Sequence, residues 1–195
     1  AGHSPKTENF FPKIEVLRYS GFAWSAALLW SRAMRTLLHM PLDPASRMVR
    51  IVLAEKGLPA ELVERRPWDD AEGALASVNP AGTVPVLIDE PPTGGEVAIS
   101  PVSTIIEYLD EAYSNAPLLP STSAARAEAR RISSWFLDKF DKEVSDFTLR
   151  ERVDKRLMRR GQPDYEKLKH GGEALVWHLD YAAWLLDQRH WLPCE

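Results

Sequence analysis

The sequence predicts an α/β domain followed by an all-α region. Three observations carry that class. Short apolar runs alternate with helical periodicity between Met34 and Ser114, a proline-marked segment follows at 115–120, and beyond it apolar residues recur every three or four positions with no strand signal. With 195 residues, 45% of them hydrophobic, the chain can bury a core as one domain or two small ones. The expected division is a leader at 1–33, an α/β domain at 34–114, a linker at 115–121 and a partial helical domain at 122–195.

Each element has a local cause. Arg35-Thr-Leu-Leu-His-Met40 is an apolar run ended by Pro41 and reads as a buried strand. Asp43-Pro44 opens a helix, because aspartate is a favoured N-cap and proline at the first helical position forfeits no hydrogen bond. Met48, Val49, Val52 and Leu53 follow at helical spacing and Gly57 supplies the stop. Ala60–Glu64 is a second strand, parallel to the first, completing a βαβ unit. An irregular helix is expected over Pro67–Val78, then a loop feeding a strand through Asn79-Pro-Ala-Gly-Thr-Val-Pro-Val-Leu-Ile88. Pro91–Gly95 is a turn, Glu96–Ile99 the returning strand of a hairpin, and Ser100 or Pro101 opens a helix carrying Ile105, Ile106, Tyr108 and Leu109.

In the second half, Ile132, Phe136, Phe140, Val144 and Phe147 form one stripe and predict a helix from about Thr122 to Met158. A second, from about Pro163 to His190, has Leu168, Leu175, Leu179, Ala183 and Leu186 as its stripe. The basic cluster Lys155, Arg156, Arg159 and Arg160 reads as a solvated helix end, where cations suit the helix dipole.

A net charge of −4 and a pI near 5.8 speak against nucleic acid, whose binders carry a basic face. The single cysteine, Cys194, excludes an intrachain disulfide framework and a multi-cysteine zinc site, so a reducing cytoplasm is the expected compartment. His39, His170, His178 and His190 are scattered, His178 reads as an interfacial helix residue, and no metal site is expected. The apolar run Gly21–Trp30 falls short of the ~20 residues that span a bilayer, so no membrane association is expected. Residues 1–33 read as a non-native leader, with an uncleaved signal peptide as the alternative because Arg18 precedes the run.

The βαβ–α–ββα order, the motif Asn79-Pro-x-Gly-x-Val-Pro-Val-Leu87 and an all-helical second half together resemble the glutathione transferase superfamily. Ser46–Gly57 is similar to the first helix of its bacterial and zeta- or theta-like members, and Ile105-Ile-Glu-Tyr-Leu109 to its third; the likeness runs from about Met34 to Trp191. The resemblance implies a thioredoxin-like first domain, glutathione as co-substrate and conjugation of its thiolate to a small electrophile, in a homodimer when the parent is full length. It also implies a cis Val84–Pro85 bond, with Thr83, Val84 and Pro85 presenting backbone to the tripeptide as an added strand would, and Val102 and Ser103 at the γ-glutamyl end. By the same resemblance the helical half continues into a buried central helix, so an incomplete domain is expected here.

Two positions depart from the pattern. Serine-type members place the thiol-activating hydroxyl where this chain has Asp43, and a carboxylate there opposes the thiolate. Asp43 is expected to cap its own helix instead, and Ser46 is left either as the thiolate's donor or as a further local cap. At the start of the third helix an acidic residue and a serine are replaced by Pro101 and Val102, flanked by Ser100 and Ser103. Losing one charged hydrogen bond there weakens glutathione roughly ten- to a hundredfold, ~1.5–3 kcal/mol. Two function classes therefore stand side by side: a conjugating enzyme, and a non-catalytic binding or interaction protein, an inactive product among its forms.

Overall fold

The computed structural model describes residues 35–91 and 94–189; the leader at 1–33, its apolar run and Cys194 lie outside the described residues. Four strands, β1 (Arg35–His39), β2 (Glu61–Glu64), β3 (Val86–Asp89) and β4 (Val97–Ile99), form one mixed sheet in the order β2-β1-β3-β4. β1 pairs parallel with β2 and antiparallel with β3, and β3 antiparallel with β4. The period-two alternation divides the core. Leu37 and Leu87 point to the face covered by α1 (Pro44–Glu55) and α3 (Val102–Ala112), where Val49, Val52, Leu53, Ile105 and Leu109 complete the main cluster. Leu38 and Val86 point to the other face and pack on Leu75 of the short helix α2 (Ala74–Val78).

Caps set the helix boundaries. α1 ends where Gly57 adopts φ +64°, and the Gly57 and Leu58 N–H groups return to the Ala54 and Leu53 carbonyls at 3.0 and 2.8 Å. α2 is preceded by a 3₁₀ turn at Pro67–Asp69, and the Asp70 carboxylate accepts from the Leu75 and Ala76 N–H groups at 2.9 and 3.0 Å.

The predicted helix of the second half is present as one helical path with a change of winding. α4 (Ser123–Ser134), capped by Thr122, passes into π-type turns at Trp135–Ser145 and again at Arg150–Asp154, and ends in α5 (Lys155–Leu157). Within it the Asp146 N–H reaches five residues back to the Asp141 carbonyl at 3.0 Å. α6 (Tyr165–Gln188) starts on its Asp164 cap. Its buried line differs from the predicted one: Gly171, His178 and Leu185 face inward, whereas Leu179 and Leu186 are 56% and 53% exposed. The physical reason is Gly171, which lies so near Phe147 and Thr148 that a Cβ there would come within 2.7 Å of Thr148 Cγ2. That approach rotates the glycine's side of the helix inward. No described helix is long and apolar enough to cross a membrane.

Two buried charge clusters hold the α/β part together. Asp89, fully buried, faces its cross-strand partner Arg35 at 3.1 Å and accepts hydrogen bonds from the Tyr108 and Tyr113 hydroxyls, both at 2.7 Å. Burial first, and then the hydrogen bond to Asp89, push both phenol pKa values up. Lys56, 2% exposed, donates to the Tyr113, Asn115 and Ala116 carbonyls at 2.8, 3.0 and 3.1 Å and pairs with Asp110 at 3.2 Å. Between the helical elements, the Trp135 Nε1–H donates to His178 Nδ1 at 3.0 Å. Nδ1 is therefore the acceptor, and the proton sits on Nε2, which donates to Glu143 at 3.0 Å.

Candidate functional site

The segment joining β1 to α1 is the first wall of the site. The Arg50 guanidinium donates to the Pro41 carbonyl at 2.7 Å and meets His39 Nδ1 at 3.3 Å, fixing the turn from the helix side. Burial first, then the Arg50 charge, lower the His39 pKa, so the ring is held neutral. Asp43 takes the N-cap with extended backbone, and its Oδ2 accepts from the Ser46 N–H at 2.6 Å. Ser46 is fully buried; its Oγ accepts from the Met40 N–H at 3.3 Å, stitching the end of β1 to α1. With no solvent-exposed surface, the Ser46 hydroxyl is beyond direct reach of a ligand in this conformation.

The second wall is the entry to β3. Asn79, 5% exposed, donates through Nδ2 to the Thr83 carbonyl and hydroxyl at 2.8 and 3.2 Å, and its Oδ1 accepts from the Ala81 N–H at 3.3 Å. This one side chain shapes the loop 79–83 that leads to Val84–Pro85. Thr83 is exposed, Val84 half-buried and Pro85 buried. The Val84–Pro85 peptide bond is cis, as is Ser100–Pro101.

The third wall is the first turn of α3. Pro101 occupies the N-cap, and no side chain caps this terminus. Val102 is 8% exposed and belongs to the core, while Ser103 is exposed. The N–H groups of the first turn are thus available to an anion, and the exposed side chains of Ser103 and Thr104 bring hydroxyls to the same turn.

A residue absent from the sequence reading enters from the helical part. Burial pushes the Asp154 carboxyl up; Arg150 pulls it down, and the charge of Asp43 adds to the rise. Its Oδ1 is buried without a hydrogen-bond partner. Asp154 lines a cleft with Arg150, Glu151 and Lys155, and the charge of Asp43 on the helix terminus is felt there. Nothing local in the sequence marks Asp154, because its neighbour in space is on the other half of the chain.

Chemically, the three segments offer a half-buried Val84 backbone beside a cis proline and an uncapped helix terminus at α3. The terminus at α1, where an anionic sulfur would draw most stabilisation, is already taken by Asp43.

Comparison with known proteins fits this frame. Residues 37–117 match the family described as "Glutathione S-transferase, N-terminal domain". The chain is 46% identical over 158 residues to FtsZ-localized protein A of Caulobacter vibrioides, covering 81% of this chain and 68% of that protein. The structure titled FzlA from C. crescentus superposes with a TM-score of 0.77 at 45% identity, covering 83% of this chain and 70% of that one. A glutathione S-transferase from Rhodospirillum rubrum gives 0.75 at 41% identity, covering 83% and 71%. One from Methylobacterium radiotolerans, in complex with glutathione sulfonate, gives 0.59 at 30% identity over 81% and 69%.

Proposed function

The chain belongs to the glutathione S-transferase family, and from that premise we propose that it uses the fold without the conjugation chemistry, as an interaction protein whose partner is FtsZ or an FtsZ-containing assembly. One observation carries the proposal: the Asp43 carboxylate on the first turn of α1, 2.6 Å from the Ser46 N–H. A sulfur anion about 4 Å from that carboxylate meets a repulsion of about 4 kcal/mol at an effective dielectric near 20. That corresponds to about three pKa units, so a thiol of ordinary pKa near ~8.5 stays protonated at neutral pH. The hydroxyl that could offset it, on Ser46, is committed to the β1–α1 junction. The partner reading is supported by the 46% identity to a protein named for its localisation with FtsZ.

The test has two arms. Glutathione and 1-chloro-2,4-dinitrobenzene at pH 7.4 are expected to react at the uncatalysed rate with the protein present; a rate well above background refutes the non-catalytic reading. In the second arm the chain is sedimented with FtsZ filaments, and its absence from the pellet at micromolar concentrations refutes the partner.

Glutathione as a bound, unreacted ligand is a second reading, favoured by the uncapped first turn of α3. Here Thr83, Val84 and Pro85 line the tripeptide backbone, Ser103 and the α3 N–H groups hold the γ-glutamyl carboxylate, and Val102 supports the turn from the core. Ser46 holds the β1–α1 turn in shape. The expected affinity is weak, so millimolar glutathione raises the melting temperature by no more than a few degrees.

A further inference from the structure

The basic stretch at the end of the first long helical run is not absorbed by the site above. Arg152, Arg156, Arg159 and Arg160 are all exposed. Among the described residues none of the four has a carboxylate partner, although their neighbours do: Lys155 and Lys167 pair with Glu151, and Arg150 with Asp141 and Asp146. Pairing is thus available locally, and these four stand outside it. Arg152 and Arg156 are four residues apart along the helical run, and Arg159 and Arg160 extend the row past its end. Leu157, 42% exposed, and the half-buried Met158 add apolar surface within it.

The turn that ends the run is also unusual. The Arg160 N–H closes on the Lys155 carbonyl at 2.8 Å and the Arg159 N–H on that of Arg156 at 3.1 Å, a helix stop that normally places glycine at its left-handed position. Here Arg159 holds that position at φ +56°. A branched cation therefore stands where the backbone favours glycine, immediately beside another arginine.

We propose that this arginine row is a docking surface for an acidic protein segment carrying an apolar side chain. All four cations are arginines, whose planar forks grip carboxylates in a bidentate manner. From Arg152 to Arg156 the helical rise is roughly 6 Å, and the two arginines of the turn lengthen the row to that of a few residues of extended peptide. Such a footprint is small for nucleic acid, where strong binding neutralises about 6–10 phosphates. In the adjoining cleft of about 320 Å³ the cations Arg150, Lys155, Arg160 and Lys167 outnumber the three carboxylates, two of which are already paired, so the cleft does not oppose an acidic segment. Leu157 and Met158 supply the contact for the apolar residue.

The experiment measures fluorescence anisotropy of a fluorescein-labelled peptide of alternating aspartate and glutamate with a central leucine, titrated with the intact chain. Arg156→Glu/Arg160→Glu is expected to weaken binding at least tenfold, and Arg47→Glu/Lys142→Glu, the same charge change elsewhere on the surface, no more than twofold. Arg159→Gly separates docking from folding, since it is expected to raise the melting temperature while weakening the peptide several-fold. Equal losses in the two double variants, no saturation below 1 mM peptide, unchanged affinity in Arg159→Gly, or tighter binding to an oligo-dT strand or to phosphatidylglycerol vesicles would each overturn the proposal.

Discussion

Replacing Lys56 by methionine removes a buried cation while keeping its length, so packing is nearly conserved and the electrostatic loss is isolated. The amine serves four acceptors, the Tyr113, Asn115 and Ala116 carbonyls at 2.8–3.1 Å and Asp110 at 3.2 Å. Asn115 and Ala116 are exposed, so water takes the place of the amine there at little cost. The Asp110 carboxylate is different, with only 8% of its side chain exposed and backbone N–H groups at 118–119, the Leu118 N–H at 2.7 Å, left to support it. Stranding a buried charge costs about 3–5 kcal/mol. Against a total stability of about 5–15 kcal/mol, that is a large fraction. Urea unfolding followed by tryptophan fluorescence, with seven tryptophans as reporters, measures it. Asp110→Asn added to Lys56→Met neutralises the stranded group and is expected to recover about half of the loss. A loss below about 1 kcal/mol in Lys56→Met, or no recovery in the double variant, would show that the lysine does not organise this junction.

Gly171→Ala forces a Cβ to within 2.7–2.8 Å of Thr148 and Phe147, and overpacking of this kind is expected to cost about 1–3 kcal/mol in the same urea assay; an unchanged midpoint would mean that α6 is not seated there. Tyr108→Phe removes one of two hydroxyl donors to buried Asp89 and is expected to cost about 1.5–3 kcal/mol, with Tyr113→Phe similar and the pair worse than either alone. Acid sensitivity follows from carboxyls held low in the fold. Hydrogen bonding to Arg130 lowers Glu107, and hydrogen bonds from Arg131 and Arg189 bring Glu128 down to about 2. The unfolded chain takes up these protons first, so their stabilisation is complete above the ordinary carboxylate range near ~4.3 and is lost as pH falls from there toward 2. His39, whose pKa is also lowered, starts the same decline below ~6.5. Urea midpoints at pH 7.5, 5.5 and 3 are expected to fall in that order, and a constant or rising series contradicts the assignment.

Much of the first half was legible because its signals are local. Asp43-Pro44 announces a capped helix start, Gly57 its stop, and the alternation in Leu37-Leu38 and Val86-Leu87 supplies both faces of the sheet. What stayed hidden depends on pairing across the chain. Lys56, next to a helix-ending glycine, looks like any solvated cation until the backbone at 113–116 folds over it. Asp89 reads as the polar end of a strand until two tyrosines from α3 and its neighbour reach it. In the second half Leu179 and Leu186 fit an apolar stripe as well as Leu185 does, and only the glycine-enabled contact at Gly171 decides which side turns inward. The change to π winding at Trp135 leaves no mark in a pattern of apolar residues, since the stripe is kept through it.

The anchors of α3 are unevenly distributed along it. Tyr108, Asp110 and Tyr113, which tie it to β3 and to Lys56, all belong to its far end, whereas Pro101, Val102 and Ser103 form the opposite tip. Such a rod is clamped by polar bonds at one extremity, while at the other only Val102 is held, by apolar packing, and Pro101 and Ser103 face solvent. The clamp at the far end secures the helix whatever the exposed side chains of the tip present to solvent.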